Sequence, residues 1–165
     1  MANVNTSLVT NFEASPQVMN AAHELHGVKR VAQGTIALAA GDLSATDTVM
    51  LAPVPTNASI TSIKLFNDDL DSGSTNTCDV GIYNTDAVAV NDDAYASAIT
   101  DLRAAVTTGT EVAFEARNIN AMGQQVWEDA GASSDPGGYY YIGLLFDAAG
   151  DTGGDLSFII EYVVN

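Results

Sequence analysis

Three short stretches contain residue types that can do chemistry. GDTGGDLSF, residues 150–158, places the hydroxyl of Thr152, a potential nucleophile, among glycines. HELH, residues 23–26, contains two histidines, which are common metal ligands. NDDLDSGSTNTCD, residues 67–79, brings together the carboxylates that Ca²⁺ prefers, those of Asp68, Asp69 and Asp71. The candidate sites are therefore a nucleophile, a transition-metal centre and a calcium loop.

The GDTGG stretch differs by one residue from the Gly-Asp-Ser-Gly-Gly that holds the nucleophile of chymotrypsin-like proteases. In that fold the histidine follows several strands, whereas here His23 precedes every predicted strand and only 13 residues follow Thr152. A threonine nucleophile would also need a base within hydrogen-bond reach. We instead predict a glycine-rich hairpin loop between the last two strands, with glycines at positive φ. We expect no enzymatic activity.

The two metal motifs are incomplete. A zincin helix requires histidines four residues apart, but His23 and His26 are three apart and the chain has no other histidine. An EF-hand count from Asn67 puts Ser72 at the sixth position and Cys78 at the twelfth, where glycine and glutamate are needed. We predict polar turns in both places. An irregular calcium loop at Asp68, Asp69 and Asp71 remains the alternative to a solvated hairpin loop, and no other cofactor is expected.

Three other groups have two readings each. Cys78 shares a strand face with Val80, which favours a small buried hydrophobe over a catalytic thiol. Trp127 and the run Tyr139–Tyr141 are typical of a buried core or of an aromatic platform for a sugar. The basic pair Lys29 and Arg30 either anchors an acidic partner or consists of exposed strand residues.

Charge excludes some function classes. The 165 residues include 21 acidic residues against five lysines and arginines, a formal net charge of −16. A surface of this sign repels phosphate, so we expect no nucleic-acid partner. No run of about 18 apolar residues is present, so we expect no membrane-spanning segment. The length fits one domain with a sizeable core. The acid-rich composition is typical of proteins that work in saline surroundings, for example in a marine setting.

The chain from Val28 onward is predicted to be β. Residues 1–27 lack a sustained period and indicate an N-terminal arm or a short helix beginning at Ser15 and Pro16. One short helix is predicted in residues 91–105, where Tyr95, Ile99 and Leu102 recur at helical spacing. Gly34 marks a predicted bulge. The predicted strands are VKRVAQGTIAL, TVMLAPV, SITSIKLFN, CDVGIYN, TEVAFEA, QQVWE, YYYIGLLF and LSFIIEYVV.

About eight strands separated by turn residues predict an all-β fold, an antiparallel, jelly-roll-like β-sandwich over residues 28–165. A closed barrel is the competing architecture. The N-terminal arm covers residues 1–27, and at most one short helix is expected.

The order of strand and turn segments carries a resemblance. The run VKRVAQGTIALAAGDLSATDTVMLAPVPTNASITSIKLFNDDLD and the run VWEDAGASSDPGGYYYIGLLFDAAGDTGGDLSFIIEYVV resemble small acidic virion proteins of marine tailed bacteriophages. Within that class the chain is most similar to capsid decoration, or cement, proteins, which are β-rich modules on the outer shell. No motif identifies a capsid-binding surface.

The resemblance implies a non-enzymatic structural protein on the capsid exterior of the virion. Its partners would be the major capsid protein and other copies of itself, as a homo-oligomer such as a trimer. The expected interface residues are Val4, Leu8 and Phe12 in the arm, together with Lys29 and Arg30. The alternatives are a tail, neck or fibre component, or a glycan-binding β-sandwich module.

Overall fold

The computed structural model describes residues 4–21, 24–25 and 27–165. Its core is built from eight strands in two four-stranded antiparallel sheets, with strand orders β1-β8-β3-β6 and β2-β7-β4-β5. The strands are β1 (Lys29–Leu38), β2 (Thr48–Pro55), β3 (Ala58–Asn67), β4 (Thr77–Tyr83), β5 (Ala89–Ile99), β6 (Val106–Glu111), β7 (Tyr139–Ala148) and β8 (Gly154–Val164).

This strand order is that of a jelly roll, so the predicted fold class is confirmed. The first strand pairs with the last along its full length, from Lys29 opposite Val163 to Leu38 opposite Gly154. Six of the seven connections lead from one sheet to the other, and only β4 and β5 form a hairpin within one sheet. The two sheets are therefore tied together by the chain at nearly every turn.

The core lies between the two sheets and follows the alternation of the strands. Cys78, Val80 and Ile82 of β4 are fully buried, as the sequence predicts. Leu156 and Ile160 of β8 face them from the other sheet and are also fully buried. Each such aliphatic side chain contributes about 1.5–3 kcal/mol when it leaves water, so this layer is the main source of stability.

Strand β1 is regular, and the bulge predicted at Gly34 is wrong. Its register against β8 runs without a shift over ten residue pairs. The glycine is needed for another reason, because a Cβ at Gly34 would lie 3.1 Å from the ring of Phe158. The ring of the neighbouring strand therefore occupies the space of the missing side chain.

Helices are few, and they lie elsewhere than predicted. Two α-helices are described, α1 (Ser7–Glu13) and α2 (Val126–Asp129), together with three 3₁₀ turns at Ala40–Asp42, Asp101–Arg103 and Ile119–Ala121. Of the two alternatives for residues 1–27, a helix beginning at Ser15 is not formed, because residues 15–21 are non-helical. No helix in the described ranges is long and apolar enough to cross a bilayer.

The helix predicted over residues 91–105 is also wrong. This stretch forms most of β5 and a 3₁₀ turn. The pairing of β5 with β4 shifts register three times, so buried residues fall at Tyr95, Ala96 and Ile99 and not at every second position. Bulges in an edge strand thus imitate the spacing of a helix.

Two predicted strands also differ. QQVWE contains the short helix α2, whose start is capped because the backbone N–H of Gln125 donates to Glu128. TEVAFEA is a strand only up to Glu111. Its carboxylate accepts from the backbone N–H groups of Ile63 and Ala113, which turns the chain out of the sheet.

A buried ion pair fastens the long β6–β7 connection to both sheets. Arg117 Nη2 lies 2.7 Å from Asp129 Oδ2, and each side chain is only 3% exposed. Arg117 also donates to the carbonyl of Ile60 in β3, and the Tyr95 hydroxyl of β5 donates to Asp129. Burial raises the pKa of Asp129, whereas Arg117 and the Tyr95 hydroxyl oppose that rise. The pair thus links the connection to β3 in one sheet and to β5 in the other.

We predict that Arg117→Met lowers the free energy of unfolding by about 3–5 kcal/mol, because the carboxylate of Asp129 would remain buried without its partner. Urea denaturation at neutral pH measures the change. The matched control is Lys29→Met, which removes the exposed ion pair between Lys29 and Glu161 and should cost about 0–1 kcal/mol. Equal effects of the two variants would contradict the special weight of the buried pair.

Candidate functional site

The GDTGG stretch is a corner of the fold. It forms the connection between β7 and β8, but these strands belong to different sheets, so the predicted hairpin is wrong. Thr152 donates its hydroxyl to the neighbouring Asp151 at 3.1 Å. His23 lies outside the described residues, as does His26. Nothing in the described geometry assembles a nucleophile with a base around Thr152.

The glycines of this corner serve close backbone approach, and the predicted positive φ is wrong for them. A Cβ at Gly150 would lie 2.3 Å from the carbonyl oxygen of Leu70. A Cβ at Gly153 would lie 2.9 Å from the carbonyl oxygen of Leu38. The two glycines therefore let the chain cross between the sheets against the backbone of the β3–β4 connection and of the end of β1.

The three aspartates of the predicted calcium loop are engaged separately. Asp68 accepts from the backbone N–H of Asp155, and Asp69 accepts from that of Asp71. Asp71 accepts from the backbone N–H groups of Gly73, Thr75 and Asn76 and is 3% exposed. Within the described ranges no group of three metal-ligating side chains is placed to hold an ion. The calcium loop therefore stays a prediction.

Hydrogen bonds between Ser72 and Asp151 join the β3–β4 connection to the β7–β8 connection. The carboxylate of Asp151 accepts from both the N–H and the hydroxyl of Ser72, each at 2.7 Å. The pKa of Asp151 is lowered by these two bonds, and that of Asp71 chiefly by the N–H of Asn76. The connection from β3 to β4, predicted as a hairpin loop, also crosses between the sheets. A hairpin would have backbone hydrogen bonds between its two paired strands. In these two loops, carboxylates accept from backbone N–H groups instead.

Cys78 is a buried core residue, as predicted. Burial raises the pKa of its thiol, which opposes formation of a nucleophilic thiolate. The hydroxyl of Tyr83 is buried without a hydrogen-bond partner in the described structure, and burial raises its pKa as well. Neither group has the surroundings of an activated nucleophile.

The aromatic residues gather around the corner between β2 and β3. The backbone of Thr56 accepts from the N–H of Trp127 and donates to the carbonyl of Gly138, directly before Tyr139. Tyr139 is 50% exposed and packs edge-on against Tyr141, with ring centroids 6.0 Å apart. Trp127 is half-buried and donates its indole N–H to Gln125. This end of the sandwich thus presents partly exposed aromatic faces.

The arm makes a small unit of its own. Helix α1 has no buried residue, with Val4 95% and Phe12 62% exposed. Asn20 donates to the carbonyl of Leu8, and Asn11 donates to Asn20. Among the described residues, every hydrogen bond of the arm joins two arm residues. No described hydrogen bond therefore ties the arm to the sandwich, and Leu8 and Phe12 share an apolar depression with Val9 and Leu25.

Lys29 and Arg30, the basic pair at the start of β1, differ in their contacts. Lys29 Nζ lies 2.6 Å from Glu161 Oε2 of β8, so it closes an exposed ion pair. Arg30 is exposed and makes no side-chain hydrogen bond or ion pair to the described residues. Arg30 is therefore the one of the two that remains open to an acidic partner.

The charge of the chain is distributed unevenly. Residues 1–41 contain two acidic and two basic residues, so their formal charge is zero. Residues 42–165 contain 19 acidic and three basic residues, so they carry the whole charge of −16. Sequence reasoning missed this division, although a running charge count reveals it. It also missed the exposed apolar residues that residues 1–41 contain outside its candidates: Val9, Val18, Met19, Val28, Val31 and Ile36.

We predict that Gly150→Ala lowers the free energy of unfolding by about 1–3 kcal/mol, because the new methyl group would overlap the carbonyl oxygen of Leu70. Thermal unfolding followed by circular dichroism measures the loss. Gly41→Ala is the control, since no atom lies within 4 Å of a Cβ there. A Gly150→Ala protein as stable as the control would refute the packing role of this glycine.

The Asp71 carboxylate should make stability depend on acid. Its folded pKa lies below the ordinary value of 3.8, so its contribution is present above that value and is lost as the pH falls through the folded pKa. We expect the free energy of unfolding to fall less steeply for Asp71→Asn than for the wild type between about pH 5 and pH 2. Asp86→Asn, at an exposed carboxylate, should follow the wild type. Parallel curves for Asp71→Asn and the wild type would exclude this role.

Comparisons with known proteins rest on structure alone, because neither a protein-family model nor a curated protein matches the sequence. A chain of the cyanophage Pam1 capsid asymmetric unit is 17% identical, with a TM-score of 0.62 and full coverage of both chains. A chain of the Ralstonia phage GP4 capsid is 22% identical, with a TM-score of 0.63, covering 84% of this chain and 86% of that one. The protein shares the fold of these two chains.

Proposed function

We propose that this protein is a non-enzymatic virion structural protein of a bacteriophage and acts as a capsid decoration, or cement, protein. It binds the major capsid protein on the outside of the shell and stabilises neighbouring capsomers. The observation that carries the proposal is the arm, whose helix has no buried residue and which leaves Val4, Val9 and Phe12 exposed. The shared fold with chains of two phage capsid structures supports it.

The arm suits a surface that becomes ordered on binding. Burying one large apolar side chain such as Phe12 is worth about 1.5–3 kcal/mol, from which the entropy of ordering the arm must be subtracted. Single contacts would then be modest. A trimer at a local threefold position of the shell would present three arms together, which multiplies such contacts through high effective concentration.

The acidic sandwich suits the same role. A formal charge of −16 keeps free copies soluble and apart, and it repels the packaged genome. The neutral segment of residues 1–41 removes that repulsion on the side that meets the shell. Charge thus favours binding to the shell through the arm, with the acidic sandwich on the solvent side.

A tail, neck or fibre component with a glycan-binding site is the second candidate. The partly exposed faces of Trp127 and Tyr139 on either side of Thr56 favour it, because sugars stack on such faces. Quantitative mass spectrometry of purified virions separates the two. A shell role requires one copy per major capsid protein or one trimer per local threefold position, whereas a tail or fibre role requires only a few copies per particle.

We predict that Phe12→Ser lowers the occupancy of the protein on purified capsids at least about tenfold, because a buried aromatic contact would be lost. Its thermal stability should not change, since α1 has no buried residue. Ile119→Ser is the matched control, as Ile119 is an exposed aliphatic residue in the β6–β7 connection. Removal of residues 2–26 should abolish binding, and unchanged occupancy after that removal would refute the role of the arm.

A further inference from the structure

Strand β1 is a long, regular edge strand with one side unpaired. All ten residues from Lys29 to Leu38 pair with β8, and no other described backbone group bonds to them. From Val31 to Leu38 the strand has no charged residue, no proline and no bulge. Such an edge is a template for another strand, and proteins usually protect it.

The other three sheet edges are protected in familiar ways. Strand β2 contains Pro53 and Pro55 and a register shift after Met50. Strand β5 has three register shifts and two adjacent aspartates. Strand β6 has only six residues, one of them Gly109 at a φ of 81°. The edge of β1 is therefore the exception in a sandwich that otherwise blocks pairing.

Charge also favours a partner at this edge. β1 lies within the neutral residues 1–41, while the rest of the chain carries −16. Val31 and Ile36 are exposed on the strand, and Val28 is exposed directly before it. A partner at this edge thus meets no charged side chain of β1 itself between Val31 and Leu38.

We infer that the free edge of β1 receives an extended segment of the shell protein as an added antiparallel strand. This inference rests on the proposed function. Every strand pair described in the chain is antiparallel, and strand addition is an established mode of peptide recognition. Main-chain hydrogen bonds supply the affinity, and they do not require a partner of one particular sequence.

The ends of β1 define the chemistry of the added segment. An antiparallel segment would bring its carboxyl-terminal end beside Lys29 and Arg30. Because Lys29 is paired with Glu161, the open guanidinium of Arg30 selects an acidic residue there. The partner segment is therefore extended, uncharged along its length and acidic at its carboxyl-terminal end.

Two neighbouring proline variants test the pairing. Successive backbone N–H groups of a strand point to opposite sides, so one of Ala32→Pro and Gln33→Pro removes a bond to β8 and the other removes only an edge donor. The variant that loses a bond to β8 should unfold at a lower temperature, so thermal unfolding distinguishes the two variants. The variant of near wild-type stability should bind shells purified without this protein at least about tenfold more weakly.

Hydrogen exchange on those shells supplies a direct readout. Alternate amides of β1 should exchange quickly in the free protein and become protected when it is bound. Arg30→Glu should weaken binding about tenfold, whereas Lys64→Glu should not, since it makes the same charge change at an exposed residue of an inner strand.

Three results would overturn the inference. Binding of the wild type without new protection in β1, together with unimpaired binding of the stable proline variant, refutes strand addition but leaves the cement role standing. Protection of the same amides in concentrated free protein shows that a second copy occupies the edge. Failure of the wild type to bind shells at all refutes the cement role and this inference together.

Discussion

The ion pair between Arg117 and Asp129 is the interaction on which the placement of the β6–β7 connection over the sandwich depends. The connection from β6 to β7 is the longest in the chain, and the ion pair adds a charged contact to the burial of Val112 and Val126 in the core. The guanidinium reaches a carbonyl of β3, while the carboxylate receives the hydroxyl of Tyr95 from β5. The pair thus bonds a backbone carbonyl of one sheet and a side-chain hydroxyl of the other. The aromatic corner around Thr56 is held in place by the same connection.

The sequence was most informative where strands are regular. Alternation predicted β4 and β8 correctly, because every second residue over most of each strand faces the core, although Gly81 and Tyr83 of β4 are buried as well. It failed in β5, where bulges move buried residues to helical spacing. The sheet-crossing corners were also mistaken for hairpins, because Gly, Asp and Asn suit both kinds of turn. Only the tertiary pairing shows that Gly150 faces the backbone of another connection.

The candidate surface was predictable in part. Absence of periodicity marked the arm, and Val4 and Phe12 are indeed exposed, while Leu8 is half-buried. That β1 lies at an edge could not be read from its residues, since a strand in the middle of a sheet can have the same composition. The missing protection of that edge becomes visible only beside the prolines of β2 and the bulges of β5. The role of β1 therefore depends on its position in the sheet and on its lack of charge, and not on its composition alone.

The pairing of the first strand with the last has a consequence for how the protein forms. Lys29 and Val163 are neighbours in the sheet, so β1 can be completed only after nearly the whole chain has been synthesised. Contacts of such long sequence separation require closure of large loops and slow the folding of β-sandwiches to about milliseconds to seconds. Until then the apolar inner face of β8 lacks one of its neighbours. The edge that β1 supplies is therefore among the last parts of its sheet to form.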